Sequence, residues 1–393
     1  MADFKPYTMQ LIATPNGIKD LRGALKFSQD RARQCYSSLS TDEIAVEAYD
    51  PKLVDPENGR LVNSGHLSVF DHFHLTFNFN GLPKLGAMLF NNEPPYATSE
   101  KSARYTQMSG MEPRQKELYD KWMGILAPAI EQEGVLIGSK NREVRARKLA
   151  QENARYMTSA FTPTNMDYTI SLRHLNEIRD KFERFIDSNS GSNDLVTQKL
   201  IGEVMIPYLN SGILEVFGVD KIKHKGCEGV RLFGEPIEER FGRDDFATNQ
   251  STSLACLAQA QRHRVLEYAI TDGLQQGGSL DIEEGKFFIP PIVKYLGLED
   301  EWLQDLAEVS SYDLPQVQLV MASGRGTIPH FNTMADERIC GPAQLEIMVR
   351  TAELARKINK VSGVGVLDVP PCVDNACEKG GCPTGKNSLD RII

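Results

Sequence analysis

Apolar and polar residues alternate most regularly between Leu67 and Phe79, where Phe73, Leu75, Phe77 and Phe79 fall at every second position. A period of two places them on one face of a pleated chain, so the pattern predicts a half-buried strand. A shorter strand is predicted over residues 8 to 14. The period lengthens towards that of a helix over residues 16 to 36, 114 to 134, 142 to 160, 195 to 209, 251 to 270 and 342 to 361. Asp187 to Asp194, rich in Ser, Asn and Gly, reads as a loop. A second break falls at Gly218 to Gly229, where Lys221, Lys223, His224 and Lys225 cluster. From Pro370 onward Gly, Pro and Cys dominate and no period is visible. Each half runs from an apolar segment through a polar motif to helices, with an arginine-bearing helix near its end. That order suggests two related halves, although direct identity between them is too weak to prove a repeat. The boundaries drawn on this basis are 1–218, 219–369 and a 370–393 tail.

Composition narrows the class. The 393 residues are 41% hydrophobic and 25% charged, as in an ordinary globular protein. Apolar runs stay shorter than the roughly 18 residues a membrane helix needs, and MADFKPYTMQ lacks the basic start and apolar stretch of a secretory signal. A net charge of −9 argues against a broad nucleic-acid face, while a local basic pocket for a small anion stays open. Seven cysteines, four of them (Cys35, Cys227, Cys256, Cys340) scattered singly, suit a reducing cytoplasm. Cys372, Cys377 and Cys382 could ligate zinc or an iron–sulfur cluster with a fourth ligand, but their four-residue gaps are not the two-residue spacing usual at zinc sites, which favours a free, flexible tail.

Four constellations could carry chemistry. Gly65-His66-Leu67-Ser68-Val69-Phe70-Asp71-His72 gathers imidazoles, a hydroxyl and a carboxylate at the strand entry, groups able to hydrogen-bond a polar cofactor. Glu100, Ser102 and Arg104 alternate on one side of an extended segment, giving a guanidinium and hydroxyl for a phosphate and a carboxylate for a sugar or base. Gln259-Ala260-Gln261-Arg262-His263-Arg264 concentrates positive charge at a helix end. Arg338 precedes Pro342-Ala343-Gln344-Leu345-Glu346-Ile347, a helix start that would leave Arg338 in the loop before it. Each has an ordinary explanation alone: a capped loop, a solvated charged segment, cations answering a helix dipole, a plain helix start.

Together the four resemble the flavin-dependent thymidylate synthases. That family has a His-x-Ser/Thr-x-x-Glu-His segment before a Phe-Thr-Phe strand, matched by His66, Ser68, Asp71 and His72 and then Leu75-Thr76-Phe77. Its signature is Arg-His-Arg-x-x-Ser-x-Asn-Glu-x-Ser-x-Arg-Tyr. The distal part stands here as Glu100, Ser102, Arg104 and Tyr105, with Ser99 for the Asn, but Asn92-Glu93-Pro94 occupies the Arg-His-Arg positions. Glu152-Asn153-Ala154-Arg155 is similar to the family's Glu-x-Ala-Arg, and Ser171-Leu172-Arg173 to its Asn-x-Arg. The second half restores Arg262-His263-Arg264, with Gln259 at the spacing of a nucleotide-contacting Gln, and loses the distal part to Ile270-Thr271-Asp272-Gly273-Leu274-Gln275. Arg338, followed by Ala343-Gln344-x-Glu346-Ile347, fits the family's catalytic Arg.

The resemblance implies an α+β fold of two tandem thymidylate synthase-like domains, each a mixed or antiparallel sheet with packed helices. It implies FAD-dependent one-carbon transfer to C5 of dUMP, with methylenetetrahydrofolate and NADPH as co-substrates, at one composite site from both halves. Gln259, Arg262, Glu100, Ser102, Arg104 and Arg155 would bind substrate. Arg338, Arg262 and His66 would be catalytic, and His66, Ser68, Asp71, His263, Arg264 and Arg173 would hold FAD. Two double-domain chains would rebuild the family's tetramer as a homodimer. Transfer of another one-carbon unit such as hydroxymethyl, or nucleotide binding without turnover, are the alternatives.

Overall fold

A computed structural model describes residues 6–132, 141–223, 229–264, 266–274, 285–341 and 343–371. The cysteine tail, Pro342 and Gln275 lie outside the described residues. In chain order the elements used below are β1 (Thr8–Ala13), α1 (Leu21–Gln34), β2 (His74–Pro83), α2 (Lys84–Phe90), β3 (Ala97–Glu100), α3 (Pro113–Gln132), α4 (Arg142–Ala154), β4 (Pro163–Ser171) and α5 (Leu172–Ser188). There follow β5 (Arg240–Phe241), β6 (Asp245–Ser253), α6 (Leu254–Ala260), β7 (Glu267–Asp272), α7 (Glu299–Ser310), β8 (Leu319–Thr327), α8 (Ile328–Arg338) and α9 (Leu345–Ser362).

The chain divides into two compact units that interleave in sequence. The first comprises Met1–Lys101 and Pro163–Val230, the second Ser102–Thr162 and Arg231–Ile393. The expected division at 218/219 gives no hint that residues 102–162 belong with the C-terminal part of the chain.

In the first unit β2 forms as its alternation predicts, with Leu75, Phe77 and Phe79 fully buried. It begins only at His74, because Leu67–Asp71 is a short 3-10 turn. The sheet order is β1-β2-β4-β3, antiparallel throughout. Phe79, Phe90, Phe182 and Tyr208 form its aromatic core, Phe79 and Phe90 lying 4.7 Å apart between ring centres. Ser171, the last residue of β4, caps α5 by accepting from the His174 N–H.

The second unit has the same plan, with order β5-β6-β8-β7, again antiparallel. Its other half is helical: α3 packs on α4, and Trp122 of α3 meets Trp302 of α7 edge to face at 4.7 Å. Asp305 closes this core by accepting from Trp122 Nε1 at 2.8 Å and Lys121 Nζ at 2.6 Å.

The two sheets match residue by residue at their third strands. Ala97 pairs with Thr169 and Glu100 with Met166 in one; Glu267 pairs with Arg325 and Ile270 with Ala322 in the other. Two constant displacements, 170 residues (267 − 97) and 156 residues (325 − 169), therefore relate β2-α2-β3 to β6-α6-β7 and β4-α5 to β8-α8. The same shifts carry the pair Pro83–Pro163 onto Ser253–Leu319. A bulge between Asn80 and Leu82, with Gly81 at φ 85°, puts the far end of β2 out of step by one residue.

Three sequence expectations need correction. Residues 251 to 270 are not one helix: β6 ends at Ser253, whose hydroxyl caps the seven-residue α6, and β7 begins at Glu267. A 3-10 turn, Gln261–His263, and Arg264 at φ 55° separate them. Arg338 lies in no loop but is the last residue of α8, which starts after the Thr327 cap with Pro329 in its first turn. Glu100, Ser102 and Arg104 do not share an extended segment, since β3 stops at Glu100 and the Tyr105 and Thr106 N–H groups turn back to the Ser102 carbonyl.

Candidate functional site

The second unit collects most of the expected nucleotide residues. Ser102 and Arg104 enter on the turn before α3, and Arg155 follows α4. Gln259 lies near the end of α6, Arg262 and His263 in the turn after it, and Arg338 at the end of α8. Residues far apart in sequence thus meet because the 102–162 segment folds with the C-terminal strands. Glu100 belongs to the first unit, where Lys84 holds its carboxylate at 2.5 Å.

The cluster is rich in guanidinium. Arg104 is buried and engages Glu152 through Nε at 2.7 Å. Burial lowers the pKa of Arg338, and the nearby Arg104 and Arg262 charges lower it further. Burial likewise lowers Arg155, with Arg104 adding to the effect. Like charges brought together in a low dielectric repel one another, and an anion placed among them relieves that repulsion. Arg338 Nε donates to His263 Nε2 at 2.5 Å, so that nitrogen is an acceptor. Burial and then the Arg338 charge push the His263 pKa down to about 4, and the imidazole is neutral near pH 7.

Behind the arginines lies a buried polar chain that sequence reasoning left without a role. Gln344 stands at the N-cap of α9 but does not cap it. Its Oε1 accepts from Arg155 Nη2 and Gln259 Nε2, while its Nε2 donates to Tyr156 Oη at 2.6 Å and reaches the Glu152 carbonyl at 3.5 Å. Tyr156 donates to Glu346 at 2.5 Å, and the Ser253 hydroxyl donates to the same carboxylate at 2.6 Å. Two atoms of this cluster, Arg155 Nε and Gln259 Oε1, are buried without a hydrogen-bond partner among the described residues. An unsatisfied buried donor and an unsatisfied buried acceptor, on two side chains that both bond Gln344 Oε1, suit a polar ligand. Ala343-Gln344-x-Glu346-Ile347 was visible as a motif, but which groups its side chains join is set by tertiary contacts.

The expected flavin residues fall in both units. In the first, Asp71 accepts from Arg173 Nη1 and the Ser171 hydroxyl, each at 3.0 Å, while His66 and Ser68 are exposed on the 3-10 turn. In the second are His263 and the exposed Arg264. Guanidinium, imidazole and hydroxyl donors of this kind fit a diphosphate and a heterocycle rich in acceptors, so both sets suit FAD chemically. Among the described residues no group of three or more His, Cys, Asp or Glu side chains is arranged to hold a metal ion, and no helix is long and apolar enough to cross a membrane.

The first unit treats the equivalent place differently. By the 170-residue displacement Asn92 corresponds to Arg262 and Glu93 to His263, and by the 156-residue displacement Phe182 corresponds to Arg338. Here Glu93 is 1% exposed and its carboxylate meets Lys181 Nζ, one residue before Phe182, at 2.5 Å. His174 Nε2 donates to the Glu93 carbonyl at 2.7 Å. The cation is answered by a carboxylate of the fold itself.

Residues 19–182 match the thymidylate synthase complementing protein family, Thy1. No curated protein sequence matches the chain significantly. Among solved structures, thymidylate synthase X of Helicobacter pylori with FAD and dUMP is 17% identical, covering 56% of this chain and 100% of its own, with a TM-score of 0.31. The UMP/dUMP methylase PolB of Streptomyces cacaoi, bound with 5-Br dUMP, is 15% identical over 44% of this chain and 77% of its own, with a TM-score of 0.28.

Proposed function

We propose that the chain is an FAD-dependent enzyme that transfers a one-carbon unit to C5 of dUMP, a reading supported by the match of residues 19–182 to the thymidylate synthase complementing protein family. The observation that carries the reading is the second unit's cluster: Arg104 and Arg262 lie near Arg338, Arg104 lies near Arg155, Arg338 reaches the Gln259 carbonyl, and Arg155 Nε and Gln259 Oε1 are buried without a partner among the described residues. Arg104, Arg155 and Ser102 hold the phosphate, as guanidinium and hydroxyl donors do. Gln259 faces the base. Arg338 and Arg262 stabilise negative charge as it develops on the uracil ring, an effect strengthened by the partial burial of both side chains. Neutral His263 fixes the Arg338 guanidinium by accepting from its Nε.

FAD, when bound, supplies the redox chemistry of a reductive methylation, with NADPH as electron source and methylenetetrahydrofolate as carbon donor. His263 and Arg264 are the flavin-side residues of the second unit, and His66, Ser68, Asp71 and Arg173 offer donors of the same kinds in the first. The shared strand order and register support descent of the units from a duplicated ancestor. Such a chain assembles as a homodimer, with a family-like tetramer of units.

Calorimetric titration with dUMP tests this reading. One nucleotide per chain is expected, together with a flavin absorption band in the purified protein. Two equal sites per chain, or no binding to FAD-loaded protein, overturn it.

A further inference from the structure

The polar chain behind the arginines has a direction, because both of its ends can act in only one sense. An ionised carboxylate only accepts, so Tyr156 must give its proton to Glu346 and present its oxygen to Gln344. A guanidinium only donates, so the Gln344 amide must turn its oxygen towards Arg155 and its nitrogen towards Tyr156. That same oxygen faces Gln259 and obliges Gln259 to offer its nitrogen. The other acceptor near Gln259 Nε2, the Ala255 carbonyl at 3.3 Å, requires the same orientation. Gln259 is left with its oxygen turned away from the chain, 6% exposed as a residue and without a partner among the described residues.

From this we infer that Gln344 is a positioning residue that sets Gln259 as a hydrogen-bond acceptor, so that the site selects a ligand presenting an N–H there. Resting on the nucleotide reading of the site, the selected group is the imide N–H of a uracil-type base. A cytosine-type base presents a ring-nitrogen lone pair at that position and meets an acceptor with an acceptor. Gln344 acts only through its neighbours: its own four bonding capacities are taken up by Arg155, Gln259, Tyr156 and the Glu152 carbonyl. An unbranched amide suits the role because its two ends differ in sense and it reaches four partners at once. An N-cap would ordinarily favour the shorter Ser, Thr, Asp or Asn, which satisfy the helix end instead.

The test compares dissociation constants for dUMP and dCMP in the FAD-loaded full-length protein, with thermal unfolding measured in parallel. Wild-type protein is expected to favour dUMP by roughly ten- to a hundredfold, the range for an unsatisfied buried polar group. Gln344→Met keeps the volume but removes the relay, so the dCMP-to-dUMP ratio should fall towards one. Gln344→Glu keeps an acceptor facing both Arg155 and Gln259, so it should retain the preference even if overall affinity changes. A role in packing alone predicts similar ratios for both variants. Equal affinity of wild-type protein for the two nucleotides, an unchanged ratio in Gln344→Met, or loss of preference in Gln344→Glu overturns the inference. If wild-type protein binds neither nucleotide, the reading of the site fails separately. The relay is then judged by NMR exchange of the Gln259 side-chain amide, which should quicken in Gln344→Met and otherwise refutes it.

Discussion

The two units place different charges on one backbone plan. At the turn after α2, Glu93 meets Lys181; at the equivalent turn after α6, His263 meets Arg338. In the first unit a buried cation has a carboxylate beside it. In the second a guanidinium has a neutral imidazole, with Arg104 and Arg262 near enough to lower its pKa. Lys181, balanced within the fold, has little to gain from an external anion, whereas Arg338, whose pKa Arg104 and Arg262 together lower more than Glu337 raises it, has more to gain, even though Arg104 itself pairs with Glu152. Matching sheets therefore do not imply matching sites, and the difference follows from a few side chains at one turn.

The comparison is broken most severely at Glu93. Its substitution by alanine leaves Lys181 with a buried charge and no carboxylate, both side chains being within 6% of full burial. Losing one partner of such a pair costs about 3–5 kcal/mol. Chemical denaturation of Glu93→Ala should register that loss, while dUMP affinity of the protein that remains folded should be nearly unchanged. A stability change below about 1 kcal/mol would mean that the Glu93–Lys181 pair does not hold the first unit together.

The sequence made parts of this contrast readable and concealed others. The strand through Phe77 and Phe79 announced itself, because one buried face and one wet face imprint a period of two. The replacement of an Arg-His-Arg triplet by Asn92-Glu93-Pro94 was visible as well. The break inside 251 to 270 was not, since Leu254, Leu257 and Ala258 and then Leu266, Tyr268 and Ile270 continue an apolar pattern across it. The interruption depends on Arg264 adopting a positive φ, which side-chain patterning does not encode. Nor could periodicity show that Arg104 and Arg155 fold with Gln259 and Arg338 while Glu100 does not. The sequence also gave no reason to expect that Gln344, at a helix start, would hold the centre of a buried network.

A pH titration sharpens the His263 side of the comparison. Its pKa falls from 6.5 to about 4 on folding, through burial first and Arg338 second. A histidine with a depressed folded pKa contributes stability above its unfolded value and loses it as pH falls towards the folded one, because the unfolded chain binds the proton first. Between about pH 6.5 and 4 the wild-type protein should lose up to roughly 3 kcal/mol more than His263→Gln. Parallel pH profiles for the two proteins would show that His263 is not held neutral.

Ligand binding is the next level of discrimination. Arg262→Ala removes a guanidinium that the equivalent residue, Asn92, never supplied to the first unit. The expected cost is about 1.5–3 kcal/mol in dUMP binding, as for a hydrogen bond to a charged group. Arg104→Ala should act on the same single binding event, although 158 residues (262 − 104) separate the two positions. Isotherms in which the two substitutions weaken different sites would separate residues that the second unit groups together.

The smallest effect is expected at Asp272, the end of β7. It lies in the segment that stands where the distal signature would fall in the second half, two residues beyond Ile270, the counterpart of Glu100. Glu100 has a side chain 1% exposed and a lysine at 2.5 Å, whereas Asp272 is exposed and, among the described residues, accepts only from the neighbouring Gly273 N–H at 2.7 Å. A solvated carboxylate with one local hydrogen bond can be lost for within about 0.5 kcal/mol. Asp272→Ala should therefore match wild-type protein in both unfolding midpoint and dUMP affinity. A clear loss of dUMP affinity there would show that the β7 end still contributes to a ligand site, and that the second unit's degenerate segment has kept a function its charges do not reveal.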